Sequence, residues 1–271
     1  FLFSGFFLNS YTFNKSNSNL LKKLKNHNYA FFLNYLFMKK SLLEITELFR
    51  YRKIDFVVLK GMAMNLESIY KPGIRQHRDI DLLVEKKNIK KTYSLLKELK
   101  FKYANPDTSD NANFLIRHQL PPMVNDHGIN LELHWRVTDV DEFEICPLTE
   151  SIINNRKESN YFKDLYVPCI EGMIAHTLYH GIKHHKFKHG PIFLFDLAAL
   201  FKYNHFEWPE NEILIKKLGL VSDFKRSKRI IEDCHNENKL NREIENQIKE
   251  LFANFNWNQK KDEEMYFFKS L

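Results

Sequence analysis

Glycine and proline are scarce, with eight of each in 271 residues. A chain so poor in breakers argues against long structureless stretches and against disorder as its bulk state. Helices with short connections are the expectation. No run of 18 or more apolar residues occurs, so no membrane-spanning helix is expected and no membrane partner with it. The opening FLFSGFFLNS is apolar and lacks the basic leader of a signal peptide. It also lacks an initiator Met, as expected of a chain that begins inside a longer gene product. Only three cysteines are present: Cys146, Cys169 and Cys234. They are far apart, odd in number and form no C-x-x-C. That pattern points to a reducing, cytoplasmic setting with no disulfide partner and no zinc knuckle.

Aromatics and charge are abundant. There are 24 Phe and 12 Tyr, and hydrophobic residues make up 44% of the chain, enough for one sizeable core or two small ones. The net charge of +7 is unevenly placed. Residues 1–60 carry ten Lys/Arg and three Asp/Glu, hence 10 − 3 = +7, and the remainder carries 31 of each sign. A basic segment can attract a polyanion such as RNA. A solvated helix face accounts for the same charges and is the preferred reading.

Apolar residues recur at helical spacing from Leu20 to Tyr51, fitting one long helix or two with a break near Asn26–Asn28. The period then changes. Phe56-Val57-Val58-Leu59 reads as a buried strand, Met62 to Tyr70 as a short helix, and Lys71-Pro72-Gly73 as a turn. Asp79–Val84 reads as a second strand, Asn88–Leu99 as an amphipathic helix and Pro122–Asn125 as a third strand. The Asn125-Asp126-His127-Gly128 turn feeds a fourth strand, Ile129–Val137. After Cys146 the pattern is helical, apart from Leu165–Val167. Candidate helices are Cys169–Lys186, Pro191–Tyr203, Trp208–Leu218, Ser222–His235 and Glu243–Phe255. The fold class is therefore α+β: a basic N-terminal helical segment (1–53), a small mixed-sheet domain (54–145) and a C-terminal helical domain (146–271).

The chemistry concentrates around Asp79-Ile80-Asp81. Residues two apart in a strand share a face, so the two carboxylates project together while Ile80 and Leu82 enter the core. Paired carboxylates repel unless a cation lies between them, and Mg²⁺ takes hard oxygen ligands from one or two carboxylates plus substrate phosphates. A D-x-D alone is weak, but its company strengthens it. Lys60-Gly61 ends the preceding strand and opens a helix, where a glycine lets backbone N–H groups approach a phosphate. Arg75 offers a rigid fork for phosphate oxygens. Downstream, Asn130, Glu132 and His134 alternate with Ile129, Leu131 and Leu133. If that strand lies beside the Asp79 strand, Glu132 joins the aspartates. Three carboxylates can hold two metals about 4 Å apart for an in-line displacement.

These residues resemble the uncharacterised nucleotidyltransferases of the DNA polymerase β-like superfamily. That pattern runs L-K-G, an Arg shortly before D-I-D-L-L-V, then E-L-H-W. It is matched here by Leu59-Lys60-Gly61, Arg75, Asp79–Val84 and Glu132-Leu133-His134-Trp135. A later His-rich helix followed by Phe195-Asp196-Leu197 also fits, so the resemblance covers roughly residues 30–235. It implies Mg²⁺- or Mn²⁺-dependent transfer of a nucleoside monophosphate from an NTP, ATP foremost, to a hydroxyl. Asp79, Asp81 and Glu132 are then the metal and catalytic residues, with Asp81 or Glu132 helping to deprotonate the acceptor. Lys60, Gly61 and Arg75 are the nucleotide-binding residues. The superfamily usually has Gly-Ser or Gly-Gly where this chain has Gly61-Met62, and Met62 has no hydroxyl to offer a phosphate. The acceptor, whether an RNA end, a protein side chain or a small molecule, is left open.

His176, His180 and His184 recur at i, i+4, i+8 and share one helix face. Paired histidines at that spacing can bind zinc, but the metalloprotease Glu is missing. A packed face of satisfied histidines is preferred to a metal site, and a part for His134, His176, His180 and Asp196 in lining the cleft stays open. Two rival functions remain: a catalytically inactive module of this fold that binds RNA or protein, and a metal-dependent phosphohydrolase centred on the His-rich helix. The hydrolase needs His176, His180 and Asp196 to converge.

Overall fold

The computed structural model describes residues 18–108, 117–138, 146–186, 192–204 and 212–235. The chain divides into two compact units, Phe1–Cys169 and Ile170–Leu271. The division at 145/146 read from the sequence falls inside the first unit.

The first unit opens with α1 (Ser18–Tyr51), a single continuous helix. The break considered at Asn26–Asn28 does not occur. Asn in a helix interior costs only a few tenths of a kcal/mol, and a buried stripe of Tyr35, Met38, Leu42, Ile45 and Phe49 anchors the helix further on. Strand β1 (Phe56–Val58), helix α2 (Lys60–Leu66), strand β2 (Ile80–Val84) and helix α3 (Ile89–Glu98) follow. Three short strands complete a mixed sheet: β3 (Lys102–Tyr103), β4 (Met123–Val124) and β5 (Asn130–His134). The sheet order is β1-β2-β5-β4-β3. Only the β2–β5 pair is parallel. The expected turn before β5 is built on Asn125, whose Oδ1 accepts from the backbone N–H groups of His127 and Ile129 at 3.0 and 2.9 Å. Gly128 supplies a φ of +74°.

Helix α1 also holds the connection that leads to β2. The Asn34 side chain donates to the carbonyl of His77 at 2.8 Å. Gly73, at φ +85°, lies against Asn28 and Phe32, where a Cβ would come within 3.1 Å of Phe32 Cβ. Helix α4 (Pro147–Asn154) and the ribbon β6 (Lys157–Glu158) and β7 (Tyr166–Val167) belong to the same unit.

An ion pair between the buried Glu67 and the partly exposed Lys157 fixes the far end of α2. Glu67 is 1% exposed, and its carboxylate takes Lys157, the Asn160 backbone N–H at 3.2 Å and the Asn160 side chain at 3.1 Å. Removing one partner of such a pair leaves an uncompensated charge. Lys157→Met is therefore expected to cost on the order of 1–2 kcal/mol, since Asn160 still donates to the carboxylate, read as a lower midpoint in chemical denaturation. An unchanged midpoint would show that Asn160 alone satisfies the carboxylate.

The second unit is helical among its described residues: α5 (Ile170–Leu178), a π-helical turn at Tyr179–His184, α6 (Ile192–Asn204), α7 (Glu212–Lys217) and α8 (Val221–His235). Ile174, Leu178, Leu197, Leu200, Ile215, Leu220 and Phe224 are buried. The helix expected over 169–186 thus runs as α-helix only to Leu178. Gly181 sits in the widened turn, with Phe193 so close that a Cβ there would lie 2.7 Å from the ring. The candidate helix Glu243–Phe255 lies outside the described residues. No helix among the described residues is long and apolar enough to cross a membrane.

Candidate active site

The parallel register of β2 and β5 sets Ile80 against Leu131, Asp81 against Glu132 and Leu83 against His134. Facing residues on adjacent strands lie about 4.8 Å apart, so Asp81 and Glu132 stand side by side. Ile80, Leu82, Leu131 and Leu133 are fully buried and lock the register, since a one-residue slip would turn the carboxylates into the core. Asp81 is itself only 2% exposed.

Three ligand atoms, one each from Asp81, Glu132 and His134, lie within 4.8 Å of one another. His134 Nε2 is 3.0 Å from Asp81 Oδ1 and 3.5 Å from Glu132 Oε2. Lys60 enters the same cluster from the start of α2. Its Nζ is 2.7 Å from Asp81 Oδ1 and 3.4 Å from Glu132 Oε2. The Lys60 backbone has φ +50°, a left-handed conformation costly for a residue with a Cβ. That turn lets the chain leave β1, bonded to Asp81 through Leu59 N–H at 2.9 Å, and enter α2.

The electrostatics follow from burial and crowding. Burial, reinforced by the charge of Asp81 and opposed by Lys60, pushes the Asp79 carboxyl up to about 7. Burial opposes the charge on Glu132 too, but the His134 hydrogen bond and Lys60 prevail and hold it well below the usual carboxylate range. At Lys60 burial favours the neutral amine, and the charges of Asp81, Glu132 and Asp79 outweigh it and raise its pKa. At His134 burial is likewise outweighed, by hydrogen bonds to Asp81 and Glu132, and the pKa rises. The His134 Nδ1 is buried without a hydrogen-bond partner, and the ring stacks on His118 at 5.9 Å.

Arg75 lies over Gly61. A Cβ on Gly61 would fall 2.0 Å from Arg75 Nη1 and 3.0 Å from His77 Nδ1. No other residue at position 61 leaves the guanidinium where it is. Nη1 also donates to the Gln76 carbonyl at 3.1 Å. Burial and the Arg75 charge lower the His77 pKa to about 3, so this imidazole is neutral at physiological pH.

Of the residues singled out in the sequence, Asp79, Asp81, Glu132, Lys60, Gly61, Arg75 and His134 therefore gather around the two inner strands β2 and β5 of the first unit's sheet. Asp79 precedes β2 and feels Asp81, Lys60, Glu132 and Arg75, while the tightest trio takes His134 in its place. The sequence reads Lys60 as a nucleotide-binding residue, and in the structure its ammonium bridges the Asp81 and Glu132 carboxylates. No local pattern in the sequence signals that pairing. His176, His180 and Asp196 belong to the second unit. His176 and Asp196 are buried, and the His176 and His180 rings meet edge to face at 5.8 Å. The π-helical turn brings His185 Nε2 to 2.9 Å from His180 Nε2. Among the described residues, the trio on the sheet is the one group of three side chains close enough to share a metal ion. The convergence that a phosphohydrolase needs at His176, His180 and Asp196 does not appear there.

The donor set fits the cation expected from the sequence. Two carboxylates supply the hard oxygen ligands that Mg²⁺ or Mn²⁺ takes, with the His134 imidazole beside them.

A family model described as uncharacterised nucleotidyltransferase matches residues 8–227. No curated protein matches the chain. Among solved structures, the chain is similar to an antigenic nucleotidyltransferase-like protein from Paracoccidioides brasiliensis, at 15% identity and a TM-score of 0.40, over 63% of this chain and 76% of that one. It is also similar to JHP933 from Helicobacter pylori, at 16% identity and a TM-score of 0.42, over 81% and 89%.

Proposed function

The chain belongs to the uncharacterised nucleotidyltransferase family, and from that premise we propose that it transfers a nucleoside monophosphate from an NTP, ATP foremost, to an acceptor hydroxyl with Mg²⁺ or Mn²⁺. The observation that carries this reading is the convergence of Asp81, Glu132 and His134 on adjacent parallel strands. Asp81 and Glu132 are the residues to hold the cation, with His134 Nε2 as third donor and Asp79 at the edge. The raised Asp79 pKa is that of a carboxylate crowded by its neighbours, and a cation held there restores its ionised form. Such an ion supplies charge stabilisation for the phosphates in displacement. Arg75, seated over Gly61, is the fork for phosphate oxygens. Glu132 is the strand carboxylate an acceptor can reach, its side chain 20% exposed against 3% for Asp81. A binding module without catalysis has no need of this arrangement.

The test is incubation with each α-labelled NTP and Mg²⁺, with and without cellular RNA, following where the label goes. Label joined covalently to an acceptor, dependent on the cation, supports the reading. Label that stays with the nucleotide under every condition contradicts it.

RNA is the acceptor that α1 favours. Lys22, Lys23 and Lys25 are exposed and Tyr29 is 62% exposed, so cations and a stacking ring lie on one accessible stretch. Tyr35, further along the same helix, is 4% exposed and belongs to the core. RNA binding is expected to weaken steeply with salt, and changing Lys22, Lys23 and Lys25 to Glu is expected to cost at least about tenfold at low salt. Binding that ignores both would shift the acceptor to a protein or small molecule.

A further inference from the structure

Lys60 stands where the cation has to go. Its ammonium contacts Asp81 Oδ1 at 2.7 Å and Glu132 Oε2 at 3.4 Å, two of the three residues that converge to hold a metal. The side chain is 19% exposed, so these carboxylates are its main surroundings and water is not. Its backbone adopts a left-handed φ of +50°, a strain that persists only where surrounding contacts enforce it. An ammonium and a divalent cation cannot share two carboxylate oxygens in a partly dry site, because like charges at that spacing repel strongly. A lysine is also the right competitor. Its four-carbon stem is flexible and its charge is a compact point that can change partners, which a guanidinium fork does less readily.

We propose that Lys60 is a built-in competitor for the divalent cation, holding the Asp81–Glu132 pair closed until a polyphosphate draws its ammonium away. The inference rests on the metal site proposed above and adds an order to it. The cation alone binds weakly, and cation and nucleoside triphosphate bind as a pair. Each therefore tightens the other by the same factor. The same lysine serves both states: a counter-charge for the carboxylates without nucleotide, and a partner for phosphate oxygens with it.

The experiment is a Mn²⁺ titration of the full chain, with free Mn²⁺ read by electron paramagnetic resonance, with and without a non-hydrolysable ATP analogue, each corrected for the Mn²⁺ that the analogue chelates in a protein-free titration. In the wild type the analogue is expected to tighten Mn²⁺ binding at least about tenfold. Lys60→Met is expected to bind Mn²⁺ at least about tenfold tighter than the wild type without nucleotide, and to gain much less from the analogue. Should the Met variant fail to fold, Lys60→Gln keeps a hydrogen-bond donor without the charge and carries the same expectation. Lys60→Arg keeps the charge and stays near the wild-type affinity. Uncharged variants that bind Mn²⁺ no tighter than a wild type that does bind it would overturn the competition and leave the metal site standing. A wild type that binds no Mn²⁺ even with the analogue would remove the metal site and this inference together.

Discussion

Asp81→Asn is expected to lower nucleotidyl transfer by at least about 10³-fold, and to destabilise the metal-free protein as well. The catalytic loss follows from the position of Asp81. It is the carboxylate that touches both His134 and Lys60 and stands in register with Glu132. An amide there removes half of the negative charge facing a cation on the two strands. Loss of about 4 kcal/mol of transition-state stabilisation is a factor of about 10³. The stability loss comes from the partners left behind. Asp81 is 2% exposed, and without its charge the Lys60 ammonium loses its 2.7 Å partner and keeps Glu132 at 3.4 Å, while still largely removed from water. Breaking such a contact costs on the order of 1–3 kcal/mol. A variant that melts with the wild type and transfers at the wild-type rate would mean that the Asp81–Lys60–His134 contacts carry neither load.

Asp79→Asn, two residues away, is expected to abolish transfer yet raise the melting temperature of the metal-free protein. The sign follows from linkage. Burial and Asp81 lift the Asp79 pKa to about 7, from an ordinary value near 4 in the unfolded chain. Between those values the native state binds more protons than the unfolded state, so this group lowers stability as pH rises. The cost is absent below about pH 4 and complete above about pH 7. Asparagine removes it. The variant should melt with the wild type at pH 4 and several degrees above it at pH 8, since a pKa rise from about 4 to about 7 corresponds to a gain of at most about 4 kcal/mol. A variant that melts below the wild type at pH 8 would make Asp79 a structural anchor. The paired result, one Asp→Asn change stabilising and its neighbour destabilising, separates a crowded carboxylate from a satisfied one.

Both effects trace to features of unequal visibility in the sequence. The alternation of Asn130, Glu132 and His134 with Ile129, Leu131 and Leu133 was enough to put Glu132 and His134 on one face, because strand parity is a local rule. The spacing of Asp79 and Asp81 worked in the same way. The buried stripe of α1 was legible from helical periodicity, though its continuity through Asn26–Asn28 was not, since tertiary packing overrides weak propensities. Strands β3 and β6 have two residues each, too few to show any period. The parallel pairing of β2 with β5 is a long-range choice, so the neighbourhood of Asp81 and Glu132 could only be stated conditionally. The bridging position of Lys60 was invisible for a further reason. It depends on a left-handed turn at a non-glycine residue, which no propensity anticipates. The widened turn at Tyr179–His184 was hidden in the same way, and it adds a contact between His180 and His185 to the i, i+4 histidine contacts.

The central claim is that the site on β2 and β5 moves a nucleoside monophosphate and not a phosphoryl group. Parallel reactions with α-labelled and γ-labelled ATP, Mg²⁺ and an RNA-containing extract decide it, each run with wild type and with Asp81→Asn. The account expects α label on the acceptor, γ label released in pyrophosphate, and neither reaction with the variant. Transfer of the γ label, or α-label transfer that survives Asp81→Asn unchanged, would contradict it.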